Sequence, residues 1–351
     1  MQVTLNQAAT IIRNVGTTNT VLLQGQPGVG KSAILNTIAK QLPDYLPCYI
    51  DVANLDLGDL GMPVIDRDAM ITSYAPNARF GIGKGQSRPV LLMLDELGKA
   101  ARPVLNMLLP VILEHRLGDR GLPTGSIVFG TTNLATDGVG DNIPGHAYNR
   151  MTVLDVGNPS VDDWLMWAVD NNIMPEVMAF AKEFPQVFDR YDLCDKADKN
   201  PYIFNPLTGN TRAFCSPRSL EKASNIIRNR DAIGDALLPA LCGTVGESAA
   251  RDMEAMVMLS DQLPRFASVM ADPRGCKLPG SVGAYFLMAF SLASRADAAN
   301  LTDIMTYVNR FESFEAGILF ASSLAGSKAK VGMACSNRAF TTVAAKFGKY
   351  F

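Results

Sequence analysis

The sequence predicts an α/β protein, a parallel sheet covered by helices, followed by an all-α second half. Three observations carry this expectation. Over residues 1–157, short apolar runs alternate with helix-like segments, as in a parallel sheet with helices on both faces. One of these runs, Thr20-Val21-Leu22-Leu23, leads into the glycine-rich Gly25-Gln26-Pro27-Gly28-Val29-Gly30-Lys31-Ser32, and a helix-like stretch follows to Leu42. From about residue 158 strand patterns stop and helix signals take over.

In chain order, residues 2–14 read as a helix, 20–24 as a strand and 31–42 as a helix. Cys48 to Val52 reads as a second strand. Pro89-Val90-Leu91-Leu92-Met93-Leu94 is a fully apolar strand that ends at Asp95-Glu96. Residues 103–115 form a helix, with Pro103 suited to its first turn and Pro110 expected to bend it. Ser126 to Gly130 is a strand ending in Thr131-Thr132-Asn133, and Val153 to Val156 is the last. Residues 54–88 exceed what one crossover needs, and Pro63 to Tyr74 has strand–turn–strand character. A hairpin insert is expected near 62–80 and a shorter one at 117–125. In the second half, Ser160-Val161-Asp162-Asp163 caps a helix carrying Trp164, Trp167 and Ala168. Residues 189–215 read as a long loop. Ser216-Pro217-Arg218 combines an N-cap, a proline at the first helical position and an arginine in the first turn. Residues 232–257 and 281–322 look helical. The expected domains are therefore 1–157, a helical domain over 158–264 and a helical extension over 265–351.

Composition narrows the function. A chain of 351 residues accommodates two or three domains, and 48% hydrophobic with 19% charged residues is the balance of a soluble globular protein. A net charge of −2 gives no global signal for nucleic acid, although a local basic pore in an oligomer stays open. Six scattered cysteines without a C-x-x-C pair argue against a zinc site and for a reducing compartment. Two histidines, His115 and His146, argue against a histidine metal site or a Ser-His-Asp triad. The start, Met1-Gln2-Val3-Thr4, resembles no signal peptide. The apolar stretch Val282 to Ala293 is too short to span a bilayer and reads as a buried helix. No membrane association and a cytoplasmic location are the expectation.

The chemistry starts at Gly25 to Ser32, which fits G-x-x-x-x-G-K-[ST], the phosphate-binding loop of nucleoside-triphosphatases. Glycines allow a turn in which successive N–H groups face a phosphate, and the following helix N-terminus favours an anion. The backbone from Gly25 to Ala33 would cradle ATP, Lys31 would reach the β- and γ-phosphates, and the Ser32 hydroxyl would hold Mg²⁺. Asp95 and Glu96 end an apolar strand, and strand carboxyl ends border the ligand crevice of a parallel sheet. Asp95 would bind Mg²⁺ through its waters, and Glu96 would polarise the attacking water. Two adjacent carboxylates there are poorly explained by packing, since charge at a strand end must be solvated or paired. Asn133 could hold the lytic water or a γ-phosphate oxygen; by itself it is also an ordinary turn residue. Arg150 could reach a neighbour's nucleotide as a finger, and its bland alternative is a surface ion pair. Arg218 could be swung onto the nucleotide by a lid helix, or could sit on a solvated helix face.

Taken in order, these five signals resemble the AAA+ ATPases, a P-loop NTPase core followed by an all-α lid, and more narrowly the MoxR lineage. The stretches that carry the resemblance include Leu94-Asp95-Glu96-Leu97, Gly130-Thr131-Thr132-Asn133, Tyr148-Asn149-Arg150 and Ser216-Pro217-Arg218. Asn54 to Pro63, Asp162 to Ala168 and the two hairpin inserts are similar to a MoxR-type subgroup. The resemblance implies a homo-oligomeric ring, usually a hexamer, with ATP between subunits. Lys31, Ser32, Asp95, Glu96 and Asn133 would act in cis, Arg150 in trans, and Arg218 as the sensor arginine of the lid. It also implies chaperone-like remodelling or maturation of a protein substrate, often with a partner that carries a von Willebrand factor A domain. One position departs: relatives often have Asn-Arg-Ala where this chain has Gly98-Lys99-Ala100, and lysine keeps the charge but loses the bidentate fork.

A ring remodeller needs loops facing its channel. Leu55 to Pro63 is the leading candidate, or else a structural turn; it has Asp56 and Asp59 but no aromatic grip, whereas the later hairpin carries Met70 and Tyr74. Three other readings share the nucleotide residues. A nucleic-acid motor or loader is disfavoured by the acidic balance, a small-molecule kinase would not need Asn133, Arg150 and Arg218 in this order, and a non-hydrolysing scaffold would not need Glu96 and Arg150.

Overall fold

A computed structural model describes residues 1–134, 143–195, 199–207 and 212–347. They fall into two compact units, Met1–Asn158 and Pro159–Phe351.

The first unit is built on six parallel strands: β1 (Gln2–Val3), β2 (Val21–Gln24), β3 (Leu46–Asp51), β6 (Val90–Asp95), β9 (Ile127–Thr132) and β10 (Thr152–Val156). Two antiparallel hairpins interrupt them, β4 (Gly61–Asp66) with β5 (Ile71–Pro76), and β7 (Arg116–Leu117) with β8 (Arg120–Gly121). The main sheet runs β1-β10-β2-β9-β6-β3. Side-chain alternation along β6 explains why both faces are covered. Leu91 and Met93 join Val21, Leu23 and Phe129 against α1 (Leu5–Val15) and α2 (Ile34–Gln41). Leu92 and Leu94 join Leu22 and Ile50 against α3 (Arg102–Glu114). A short helix, α4 (Gly145–Tyr148), precedes β10.

The chain start differs from the sequence expectation of one helix over 2–14. Gln2 and Val3 pair with Asp155 and Val156 as an edge strand, and the helix begins after Thr4. The Thr4 hydroxyl accepts the Gln7 N–H, and the Gln7 side chain accepts the Thr4 N–H, a reciprocal cap that fixes this boundary. The helix expected from 31 also starts later: Lys31–Ala33 is a single 3₁₀ turn, and α2 proper begins at Ile34.

The second unit is helical: α5 (Val161–Asp170), α6 (Pro175–Glu183), α7 (Pro217–Arg228), α8 (Arg230–Ile233), α9 (Leu237–Val245), α10 (Glu247–Asp261), α11 (Phe266–Ala271), α12 (Val282–Arg295), α13 (Leu301–Val308), α14 (Phe314–Gly326), α15 (Val331–Ser336) and α16 (Arg338–Phe347). Ser216 caps α7, with its hydroxyl accepting the Ser219 N–H and the Ser219 hydroxyl accepting the Ser216 N–H. One hydrophobic cluster runs from Trp164 to Phe340, so residues on both sides of position 264 share a core. The central α12 buries nine of its residues, Tyr285 to Phe290 among them. No helix among the described residues is long and apolar enough to cross a membrane.

Phe129 is fully buried between β2 and β6. Replacing it with alanine should lower the unfolding free energy by about 3–5 kcal/mol, read from the shift of the denaturant midpoint at unchanged slope.

Candidate functional site

Parallel pairing brings three strand ends together. β2 lies between β10 and β9, and β9 lies between β2 and β6. The carboxyl ends of β2, β9 and β6 therefore deliver the glycine-rich loop, Asn133 and Asp95-Glu96 to one edge of the sheet.

The loop after β2 depends on glycine at two positions. A Cβ on Gly25 would lie 2.7 Å from the Val156 carbonyl oxygen, so β10 closes the space a side chain would need. Gly30 has φ +104°, a left-handed conformation that L side chains rarely adopt. Lys31 follows and turns its side chain back over the loop. Its Nζ donates to the carbonyl oxygens of Gly25 at 2.5 Å and Gln26 at 2.9 Å, and to Asn133 Oδ1 at 3.1 Å. Lys31 is only 7% exposed, and a buried ammonium is tolerated only with such acceptors around it. Gln26 is also buried; its Oε1 accepts from Asn158 Nδ2 at 3.3 Å, and its Nε2 meets no acceptor among the described residues. Pro27, Gly28 and Val29 complete the turn, with Val29 packed into the core beside α2, and Ala33 lies exposed at the end of the 3₁₀ turn.

Asp95, 6% exposed, is held by hydroxyl groups. Its Oδ2 accepts from Ser32 Oγ and from the Tyr49 hydroxyl, both at 2.9 Å, and its Oδ1 accepts from the Thr131 hydroxyl. The β3–β6 register explains Tyr49: Asp51 lies opposite Asp95, so Tyr49, two residues earlier, shares its face. Burial raises the Tyr49 pKa well above the usual phenol range, helped by its hydrogen bond to Asp95 and by the charges of Asp95, Asp51 and Glu96. The phenol stays a donor.

Glu96 occupies a left-handed backbone conformation, φ 55° and ψ 40°, which costs a non-glycine residue about 1–2 kcal/mol. Its N–H donates to Thr131 Oγ1 at 3.2 Å. Its carboxylate is half-exposed and ion-paired with Lys99, the residue at the position where the chain departs from its resemblance. Thr131 thus touches both acids, through its hydroxyl to Asp95 and through the Glu96 amide.

Arg150 is exposed just after α4, and its side chain makes no ion pair among the described residues. The helix that precedes it is tied to the loop strand, because Gln24 Nε2 donates to the Tyr148 hydroxyl at 3.0 Å. Arg218 belongs to the helical unit, exposed at the second position of α7. The structure therefore gathers these residues at one sheet edge in two hydrogen-bonded groups, Lys31 with Asn133 and Ser32 with Asp95, with Glu96 joined to the second through Thr131. Tyr49 and Thr131 were not singled out from the sequence. Thr131 stood two residues before Asn133, near the end of the strand that leads into it, and the signal for Tyr49 was a polar aromatic on the strand beside the acidic one.

A glycine loop with a buried lysine at the end of one strand, and an acidic pair at the end of another, define a P-loop nucleoside-triphosphatase site. Residues 21–152 match the family described as ATPase family associated with various cellular activities (AAA), so this chain carries an AAA ATPase domain on an AAA+ P-loop fold. Nucleotide binding and ATPase activity go with that domain. Solved structures that match the chain include NtrX from Brucella abortus in complex with ADP, at 13% identity over 72% of this chain and 67% of that one, TM-score 0.34. Another is the RuvB Holliday junction branch migration motor from Thermotoga maritima, at 15% identity over 85% and 83%, TM-score 0.37. No curated protein sequence matches the chain. The family match, rather than these likenesses, identifies the domain over residues 21–152.

The donor set suits Mg²⁺. This small, hard cation keeps several waters and is held by one or two carboxylates together with nucleotide phosphates. Ser32 Oγ and Asp95 Oδ2, already in contact, are the oxygen ligands available for it.

Replacing Lys31 with alanine removes the buried cation of the glycine-rich loop, which the motif assigns to the nucleotide phosphates. ATP affinity should fall about ten- to a hundredfold, measured by titration calorimetry, with the thermal midpoint recorded to separate lost binding from lost folding.

Proposed function

We propose that this protein is a ring-forming, MoxR-like AAA+ ATPase that uses Mg²⁺-dependent ATP hydrolysis to remodel or mature a protein partner. The observation that carries the hydrolytic part is the shared contact of Thr131 with both acids: one hydroxyl fixes the Asp95 carboxylate and the backbone of Glu96. In this reading the loop amides and Lys31 bind the β- and γ-phosphates. Ser32 and Asp95 hold Mg²⁺, which supplies charge neutralisation on the transferring phosphoryl group when bound. Glu96 orients the attacking water and takes its proton. Asn133, hydrogen-bonded to Lys31, senses the γ-phosphate in this reading. Arg150 acts on the neighbouring subunit's nucleotide, and Arg218 acts as the sensor arginine of a helical lid.

A protein partner is supported by the β4–β5 hairpin. Met62, Val64, Ile65, Met70, Ile71 and Tyr74 are all exposed, on both faces of a two-stranded sheet. An isolated hairpin gains little stability from itself, and clustered exposed apolar groups mark contact surfaces. The Tyr74 N–H donates to Asp119 Oδ2 at 3.1 Å, so the two inserts brace one another. A partner with a von Willebrand factor A domain and a location in the cytoplasm belong to the same reading.

Glu96→Gln should bind ATP normally and hydrolyse it at least a hundredfold more slowly, measured by phosphate release. Its mass in solution should rise to about six subunits with Mg²⁺-ATP; a monomer at every concentration would overturn the ring. Arg150→Ala should be inactive alone and regain part of its turnover when mixed with Glu96→Gln subunits, because the two defects would then lie in different chains. No recovery at any mixing ratio rules out a finger acting in trans.

A further inference from the structure

Asp95 is gripped from both neighbouring strands. β6 lies between β9 and β3, and each neighbour sends one hydroxyl to the Asp95 carboxylate. Thr131 of β9 donates to Oδ1, and Tyr49 of β3 donates to Oδ2 at 2.9 Å. The terminal torsion of an aspartate is broad, so the donors at its two oxygens set the plane of the carboxylate. Asp51 stands opposite Asp95 in the register, yet its own Oδ2 accepts from Asn54 Nδ2 at 2.7 Å. The hydrogen bond from β3 to the acid comes from two residues back, on the same face.

The two clamping donors are differently placed. Thr131 is 1% exposed and also accepts the Glu96 N–H, so it belongs to the frame of the strand ends. Tyr49 is 49% exposed, although its hydroxyl meets a carboxylate that is itself buried. Burial of so open a ring stabilises the fold little, and what this position supplies is the hydroxyl.

Oδ2 has a second donor, Ser32 Oγ, also at 2.9 Å. Ser32 is itself a candidate ligand, so of the two donors on Oδ2, Tyr49 is the one without a ligand's task. Groups that hold a ligand from outside set its orientation and, through it, the affinity for the metal. We propose that Tyr49 is a positioning residue for Mg²⁺: its hydroxyl, with that of Thr131, clamps the Asp95 carboxylate between the neighbouring strands in the orientation that receives the cation. The proposal rests on the reading of Ser32 and Asp95 as the Mg²⁺ ligands.

The test is calorimetric titration of the full chain with a non-hydrolysable ATP analogue, at Mg²⁺ concentrations from fully chelated to saturating. This reads the contribution of the metal without turnover. Tyr49→Phe keeps the ring and removes the hydroxyl. Its affinity for the metal-free analogue should stay within about twofold of the unmutated protein, while the Mg²⁺ concentration for half of the metal-dependent gain should rise about tenfold. Tyr49→Leu, which gives up the ring as well, should show the same rise, because the hydroxyl is the working group. An unchanged Mg²⁺ requirement in Tyr49→Phe, a rise confined to Tyr49→Leu, or an equal loss of affinity with and without metal would overturn the proposal. Asp95→Asn tests the underlying metal reading and should abolish the Mg²⁺-dependent gain. If it does, and Tyr49→Phe still matches the unmutated protein, the role of Tyr49 alone is dismissed. If the gain survives Asp95→Asn, the metal reading falls and the proposal with it.

Discussion

The sheet edge that carries the glycine-rich loop depends on one buried ammonium group. Lys31 is almost wholly enclosed, and its charge is stable there because two loop carbonyl oxygens and Asn133 surround it. Asn133 can reach only because β9 pairs beside β2 in parallel, and the loop can fold back only because Gly25 leaves β10 room to approach. The same contacts hold the loop in shape, and on the proposed reading they pre-order the phosphate cradle, since Lys31 is the side chain that would meet the nucleotide. Nucleotide binding there would exchange protein oxygens for phosphate oxygens around a fixed charge, which would limit the ordering cost of association.

Asp95 shows a related economy. A carboxylate so enclosed needs donors, and three hydroxyl groups from three different elements provide them. Ser32 comes from the loop, Tyr49 from β3 and Thr131 from β9, so the acid reports on the alignment of its neighbours on both sides. Hydroxyl donors leave the charge of Asp95 intact, where a lysine or arginine would have cancelled it, and that charge is what a divalent cation needs.

Much of this was legible in the sequence, for identifiable reasons. Apolar runs such as Val90 to Leu94 are buried on both faces, so their hydrophobicity alone marks them. The glycine loop was legible because its spacing is itself the geometry, and the cap at Ser216 because local chemistry decides it. The edge strand Gln2–Val3 was not, since two residues carry no period and its partner lies about 150 residues away in β10. Tyr49 and Thr131 were missed for the same reason. Each acts on Asp95 through the register between strands 36 to 46 residues apart, and no local pattern encodes a register.

The left-handed backbone at Glu96 sets fold stability and chemistry against each other at a single residue. Glycine or asparagine would occupy that conformation more comfortably, yet neither can accept a proton from water. On the proposed role of Glu96 in orienting water, fold stability and turnover therefore pull this position in opposite directions. A glycine or asparagine here would give a sturdier protein that holds its nucleotide without resetting.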